Sequence, residues 1–227
     1  MTPVSPTPHD LTRPLSHVLW LGGSTCSGKS SIADILGQAY GLQTYHYDRR
    51  EADHIARSTD TARFPAINEF IALSMDERWV LRTPQEMADN AIASWIQRFP
   101  HVIEDLLAIP TTRPIVAEGP GLFPQLVKPY ITNPFHAVWL VASDKVIRDV
   151  RTQRPTSIRT ETSDPDRAIE NLIQRDFILA RYNRDQASEV NLKTVEITFA
   201  EPIMATVERV AGLFGLNSDF GRFTYAS

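Results

Sequence analysis

A chain of 227 residues with 42% apolar residues, a formal net charge of -4 and a pI near 5.9 is long enough to bury one sizeable core, and its acidic balance argues against a nucleic-acid backbone as the main partner. The single cysteine, Cys26, excludes internal disulfides and a multi-cysteine metal site. No apolar run approaches the roughly 18 residues of a membrane span, and the first residues lack the charged-then-apolar order of a secretory signal, so the expectation is a cytoplasmic protein with no membrane partner.

Residues 1–15 carry Pro3, Pro6, Pro8 and Pro14 among Ser, Thr and His and read as a flexible N-terminal arm. One domain is expected over residues 16–216, followed by a tail over residues 217–227. Residues 18–21 form a short apolar run that reads as a buried strand. Directly after it, Gly23-Ser24-Thr25-Cys26-Ser27-Gly28-Lys29-Ser30 matches G-x-x-x-x-G-K-[ST] in full. Residues 31–40 then place Ile32, Ile35, Leu36 and Ala39 at helical spacing. Strand, loop and helix in that order are the context that a P-loop for a nucleoside triphosphate requires.

The chemistry of such a loop comes from its backbone. Gly23 and Gly28 permit the dihedrals that turn successive amides inward, and the helix starting near Lys29 adds its positive dipole end. The loop through Ser31 is expected to cradle the phosphates of ATP, with Lys29 reaching the β- and γ-phosphates and the Ser30 hydroxyl ligating Mg2+. Cys26 has two readings: a thiolate favoured by Lys29, or a passive small residue.

Gly41 supplies a helix stop, and residues 42–47 read as a second strand ending at Asp48. Two readings of Asp48 compete. Its carboxylate is a general base that takes the proton of an attacking hydroxyl, or it forms an acidic capping box with Glu51 for the helix through Ile55. His46 points to the same sheet face if the strand is regular and reads as a packed strand residue. Residues 49–113 hold no convincing strand and are too long for an ordinary crossover, so a helical substrate-binding insertion is expected. Within it, Thr83-Pro84-Gln85-Glu86 has capping-box form, Met87, Ile92, Trp95, Ile96 and Phe99 follow at helical spacing, and Pro100 kinks or restarts the helix. Arg57, Arg63, Arg78 and Arg82 with Trp79 form either a pocket for an anionic or ring-bearing acceptor or ordinary surface.

Residues 114–117 are the third strand, closed by Glu118-Gly119-Pro120-Gly121. Glu118 is a candidate for contact with metal-bound water or with substrate, against the reading of a solvated turn residue. Residues 136–141 are the fourth strand, and the helix from Asp144 presents Arg148, Arg151 and Arg154 at every third position until Pro155. A polar stretch over residues 156–164 precedes a long helix over residues 165–188, where Arg175, Arg181 and Arg184 are weaker candidates. A fifth strand over residues 193–199 and a helix over residues 202–213 complete the alternation. Strands alternating with helices imply an α/β fold, three layers deep, with a parallel sheet and the site at the carboxyl ends of the strands.

At this point the chain resembles the P-loop small-molecule kinases, the group of gluconate, shikimate and uridine kinases and chloramphenicol phosphotransferase within the P-loop NTPases. The layout matches over most of residues 18–213, and the loop is the specific part. The resemblance implies a five-stranded sheet in the order 2-3-1-4-5 and a lid over residues 144–188. It implies adenine held between that lid and residues 200–202, Asp48 facing the acceptor hydroxyl, and Glu118-Gly119 touching the substrate. Arg148, Arg151 and Arg154 stand at the place of the lid arginines, with Arg148 expected on the nucleotide and Arg151 on the transferring phosphoryl. Two departures remain: the lid lacks an arginine-glycine pairing, and the insertion matches no acceptor pattern.

The resulting expectation is a kinase in which Lys29, Asp48 and Arg151 are catalytic, Ser30 and Glu118 serve the metal, and the partner is a small-molecule acceptor. A nucleoside or nucleotide kinase differs from this only in acceptor. A nucleotide-dependent regulatory ATPase or switch is the reading from another class. It lacks N-K-x-D, D-x-x-G after the third strand, and L-S-G-G. Phosphorylation of nucleic-acid ends is disfavoured by the acidic balance.

Overall fold

Five strands, β1 (Val18–Gly23), β2 (Gln43–His46), β3 (Ile115–Glu118), β4 (Ala137–Ala142) and β5 (Lys193–Ile197), pair in parallel in the order β2-β3-β1-β4-β5. The computed structural model describes residues 11–110, 112–154 and 156–216. Of the expected arm over residues 1–15, residues 1–10 lie outside the described residues, as do Pro155 as a helix stop and the tail over residues 217–227, whereas residues 11–15 are folded against the domain. Residues 11–17 make turns that put Leu15 into the core, with Leu15 N–H bonding to Leu11 O at 3.1 Å.

The central strand shows why the sheet is covered on both sides. Val18 and Trp20 pack with Tyr45, Ile115 and Trp139 on one face, while Leu19 and Leu21 pack with Val116, Val138 and Leu140 on the other. Side chains alternate across the strand, so a strand that is apolar throughout is buried twice. The helices are α1 (Lys29–Tyr40), α2 (Glu51–Arg57), α3 (Pro65–Ala72), α4 (Pro84–Ala108), α5 (Pro124–Val127), α6 (Asp144–Gln153), α7 (Ile158–Glu161), α8 (Pro165–Glu189) and α9 (Ile203–Leu213). Helices α1 and α9 cover the Leu19 face through Ile32, Leu36, Val207 and Val210, while Phe99, Val102 and Leu106 of α4 cover the Trp20 face. A third cluster joins β4 to α6, α7 and α8 through Val141, Ile147, Ile158, Ile169 and Phe177.

Between β2 and β3 the chain holds α2, α3 and α4, with a 3₁₀ turn over Asp48–Arg50 and a π-type turn over Glu77–Leu81. The expected helical insertion is present. Thr83 and Glu86 form both halves of a capping box, with Thr83 N–H on Glu86 Oε2 at 2.8 Å and Glu86 N–H on Thr83 Oγ1 at 3.2 Å. Pro100 neither restarts nor ends α4, which runs through it. The lost amide costs about 3 kcal/mol in a helix interior, and Phe99, Val102, Ile103 and Leu106 offset it by entering the core on either side of the proline. The stretch over residues 156–164 is not wholly irregular either, because Ile158 anchors the single turn of α7 in the third cluster.

Register sets the position of the site. Leu21 lies opposite Glu118, and Glu118 opposite His46, so β2 and β3 end level with one another while β1 runs two residues further, to Gly23. From β1 the chain crosses toward the β2 edge, and from the neighbouring β4 it crosses toward the β5 edge. Connections that leave neighbouring strands in opposite directions open a crevice at their carboxyl ends.

Candidate functional site

The glycine-rich loop is stitched to β4 before it enters α1. Gly23 has φ +122°, and a Cβ there would come within 2.0 Å of Leu140 O, so the close approach requires glycine. Ser24 N–H donates to Leu140 O at 2.9 Å, and Ser24 Oγ accepts from Ala142 N–H at 2.8 Å. Ser27 Oγ–H donates to Ser24 O at 2.8 Å and closes the loop on itself. Left-handed backbone at Cys26 (φ +62°) and Gly28 (φ +77°) turns the chain into α1, whose N-terminus has no side-chain cap. A helix start without a cap leaves its first amides free to receive an anion.

Lys29 stands at that helix start, buried, and its Nζ donates to Ser24 O at 2.5 Å. Burial lowers its basicity, and the nearby carboxylates of Glu118 and Asp48 act in the opposite direction. Thr25 through Ser31 line a cleft of about 850 Å³ together with Asp48, Glu118, Pro120, Arg151 and Arg154. Gly23 and Ser24 lie behind this lining as its support. Cys26 is half-buried, and burial pushes its thiol up against the pull of Arg151 and Lys29. Of the two readings of Cys26, that direction favours the passive residue.

The two acids of the cleft differ in their surroundings. Asp48 faces the open cleft from the 3₁₀ turn after β2, and desolvation by the surrounding walls raises its carboxyl despite the pull of Lys29. The competing capping-box reading is not formed, since α2 starts without a side-chain cap and Glu51 turns instead toward Arg98 at 3.5 Å. Glu118 is buried at the end of β3 and lies 2.8 Å from His46 Nδ1. His46 Nε2 in turn lies 2.9 Å from Asp34 Oδ1 on α1. His46 is therefore packed in the sheet, as its neighbours predicted, but it also links Glu118 to α1 and orients that carboxylate. Because β2 ends at His46, the premise of a regular strand through Asp48 fails.

The three arginines expected together on α6 separate. Arg151 lines the cleft and donates Nε–H to Asp176 Oδ2 at 2.7 Å. Arg154 lines the cleft from the end of α6. Arg148 is outside the cleft lining and grips Glu170 of α8 with two bonds, at 2.8 and 3.0 Å. Arg175 binds the other oxygen of Asp176, at 3.0 Å from Nε and 2.7 Å from Nη2. Burial alone raises the Asp176 carboxyl, but Arg175 and Arg151 outweigh it and hold the carboxyl below its ordinary value. Arg181 and Arg184 lie outside the cleft lining, as do residues 200–202.

A second pocket of about 430 Å³ adjoins the first and shares Thr25, Asp48 and Pro120 with it. Its apolar walls include Phe70, Trp79, Met87 and Trp95, and Arg78, Arg82, Arg98 and Arg175 also line it. Of the insertion residues singled out in the sequence, Arg78, Arg82 and Trp79 meet here. Arg57 is bound to Glu104 and Asp105, and Arg63 lies over the Phe64 ring. Arg98, Ser94 and Trp95 were missed. A faint signal existed, because Met87, Asn90, Ala91, Ser94, Trp95 and Arg98 recur on one stripe of α4, which puts a charge in register with buried positions.

Comparison with protein-family models and with curated proteins finds no significant match to this chain. The residues present fit the triphosphate and the magnesium ion that the loop motif implies. An uncapped helix start, a buried lysine and a lining arginine suit a polyanion, while Ser30, Asp48 and Glu118 on the cleft wall are the hard oxygen donors that magnesium selects.

Proposed function

We propose that the chain is an ATP-dependent kinase of small molecules, with a P-loop at Gly23–Ser30, that transfers the γ-phosphoryl group to an acceptor hydroxyl. The observation that carries this reading is the meeting of two pockets at Asp48, one lined by the loop and the other by the insertion. A second pocket that meets the loop cleft at a carboxylate gives an acceptor a place beside the phosphates, which nucleotide hydrolysis alone does not require.

The loop amides and the start of α1 bind the phosphate chain, and Lys29 exchanges Ser24 O for a phosphate oxygen. Ser30 and Glu118 would offer the oxygens for the ion, Glu118 being steadied by His46. Bound magnesium neutralises charge on the phosphates. Asp48 accepts the proton of the acceptor hydroxyl as its oxygen bonds to the γ-phosphorus and the bond to the ADP oxygen breaks. Its raised proton affinity suits that role. Arg151, fixed by Asp176, meets negative charge on the transferring oxygens.

The test is ADP formation from magnesium-ATP with fractionated polar metabolites. Acceptor-dependent turnover is expected in the wild type and absent in Lys29→Ala. In Asp48→Asn it is expected to fall by about 10²- to 10⁴-fold, while that variant still binds ATP. Tight ATP binding with no acceptor-dependent turnover in any fraction, and no effect of Asp48→Asn, would instead favour the regulatory switch.

A further inference from the structure

Four arginines and two carboxylates, Asp48 and Glu51, line the second pocket, and the arginines differ in how well they are partnered. Arg82 is paired with Glu69, and Arg175 with Asp176. Arg98 is only 1% exposed, yet its nearest partners are Ser94 O at 3.4 Å and Glu51 Oε1 at 3.5 Å, both at the limit of a hydrogen bond. Its Nη1, and Oγ of the equally buried Ser94, have no hydrogen-bond partner among the described residues. Arg78 gives one bond, to Ile71 O at 2.8 Å, and its Nε has no partner among the described residues. A guanidinium held away from water without a full set of acceptors is costly, and an anion supplies what is missing.

The remaining walls define the rest of the ligand. Phe70 and Trp79 meet edge to face at 5.7 Å, and Arg78 and Arg175 lie over these two rings at 4.9 and 5.5 Å. Trp95 and Met87 add apolar surface on the α4 side. Flat aromatic walls in a pocket of this size suit a molecule of one or two rings.

Resting on the phosphotransfer reading, we propose that the acceptor carries an acidic group, a carboxylate or a phosphate, on a flat apolar body. Arg98 and Arg78 bind the acid, the aromatic walls hold the body, and the hydroxyl reaches Asp48 where the pockets join. The unmet donors of Arg98 and Arg78 favour this over a neutral polyol, which would bring neither guanidinium group a counter-charge.

The probes are benzoate, phenyl phosphate and uncharged benzyl alcohol. Binding is read by quenching of tryptophan fluorescence, with a non-hydrolysable ATP analogue and magnesium filling the loop so that phenyl phosphate cannot occupy it. At least one acid is expected to bind about tenfold or more tighter than benzyl alcohol, the arm that responds distinguishing carboxylate from phosphate. Arg98→Met and the partly exposed Arg78→Met are each expected to remove most of that preference. The proposal is overturned by benzyl alcohol matching both acids, by no quenching from either acid, or by a preference that survives both substitutions. Analogue binding is measured separately by calorimetry. Its absence alongside an intact acid preference removes the phosphotransfer reading alone, and tight analogue binding without acid preference removes this proposal alone.

Discussion

Lys29 and Asp48 respond to desolvation in opposite directions, and together they bound the working pH of the site. Burial lowers the lysine and raises the aspartate, and the attraction between the two charges moderates both shifts. On the phosphotransfer reading, activity of the free protein on the acid side is lost as Asp48 takes a proton, at a higher pH than for a solvated carboxylate. On the alkaline side it is lost as Lys29 gives one up, at a lower pH than for a solvated lysine. The profile of kcat/KM against pH is therefore expected to be a bell whose limbs lie closer together than the ordinary values of the two groups. Asp48→Asn should remove the acid limb and reduce kcat by about 10²- to 10⁴-fold. An acid limb that persists in this variant would assign the base to another group, with Glu118 the next carboxylate on the cleft wall.

Helices α6 and α8 are fastened at two points that differ in kind. Arg151 meets Asp176 inside the protein, whereas Arg148 meets Glu170 where both side chains are about half exposed. The outer pair holds Glu170 down to about 2, first through Arg148 and then through Gln174. Because the folded value lies below the ordinary one, the stability contributed is complete above the usual carboxylate range and is lost as pH falls through it toward about 2. Solvent screening keeps the contribution of this exposed pair small. Arg148→Met is therefore expected to lower the urea midpoint slightly at pH 7, by less as the pH falls toward 2, and to leave KM for ATP unchanged. Arg151→Met is expected to reduce kcat about 10³-fold. A rise in KM for ATP in Arg148→Met would instead mean that the pair opens and the arginine reaches the nucleotide.

The sheet and the second pocket were legible to very different degrees, for a physical reason. The apolar run of β1, the glycine-rich loop and the regular return of strands are local in the sequence and point to a parallel α/β sheet, and the observed order β2-β3-β1-β4-β5 agrees with the one that the resemblance implied. The second pocket is built from side chains of α2, α3, α4, the turn over Glu77–Leu81 and α8, brought together only by packing. Arg98 looks like any helix arginine until α4 is seated, and Asp176 like any acid of a long helix. Yet Asp176 is bonded to a wall of each pocket. It is fully buried, one oxygen takes Arg151 of the loop cleft and the other takes Arg175 of the second pocket. Asp176→Asn keeps the shape but leaves two largely buried guanidinium groups without their counter-charge, a loss of about 3–5 kcal/mol. Below the usual carboxylate range the wild type gives up this same contribution as its folded carboxyl takes a proton, so urea midpoints of the two proteins should converge as the pH falls. Binding separates the anchor from an ordinary core defect. At a temperature where both proteins are folded, Asp176→Asn should weaken both an ATP analogue and the acceptor-site acid, Arg151→Met mainly the first, and Arg98→Met only the second. If Asp176→Asn lowers stability yet leaves both affinities unchanged, Asp176 holds α6 to α8 and nothing more.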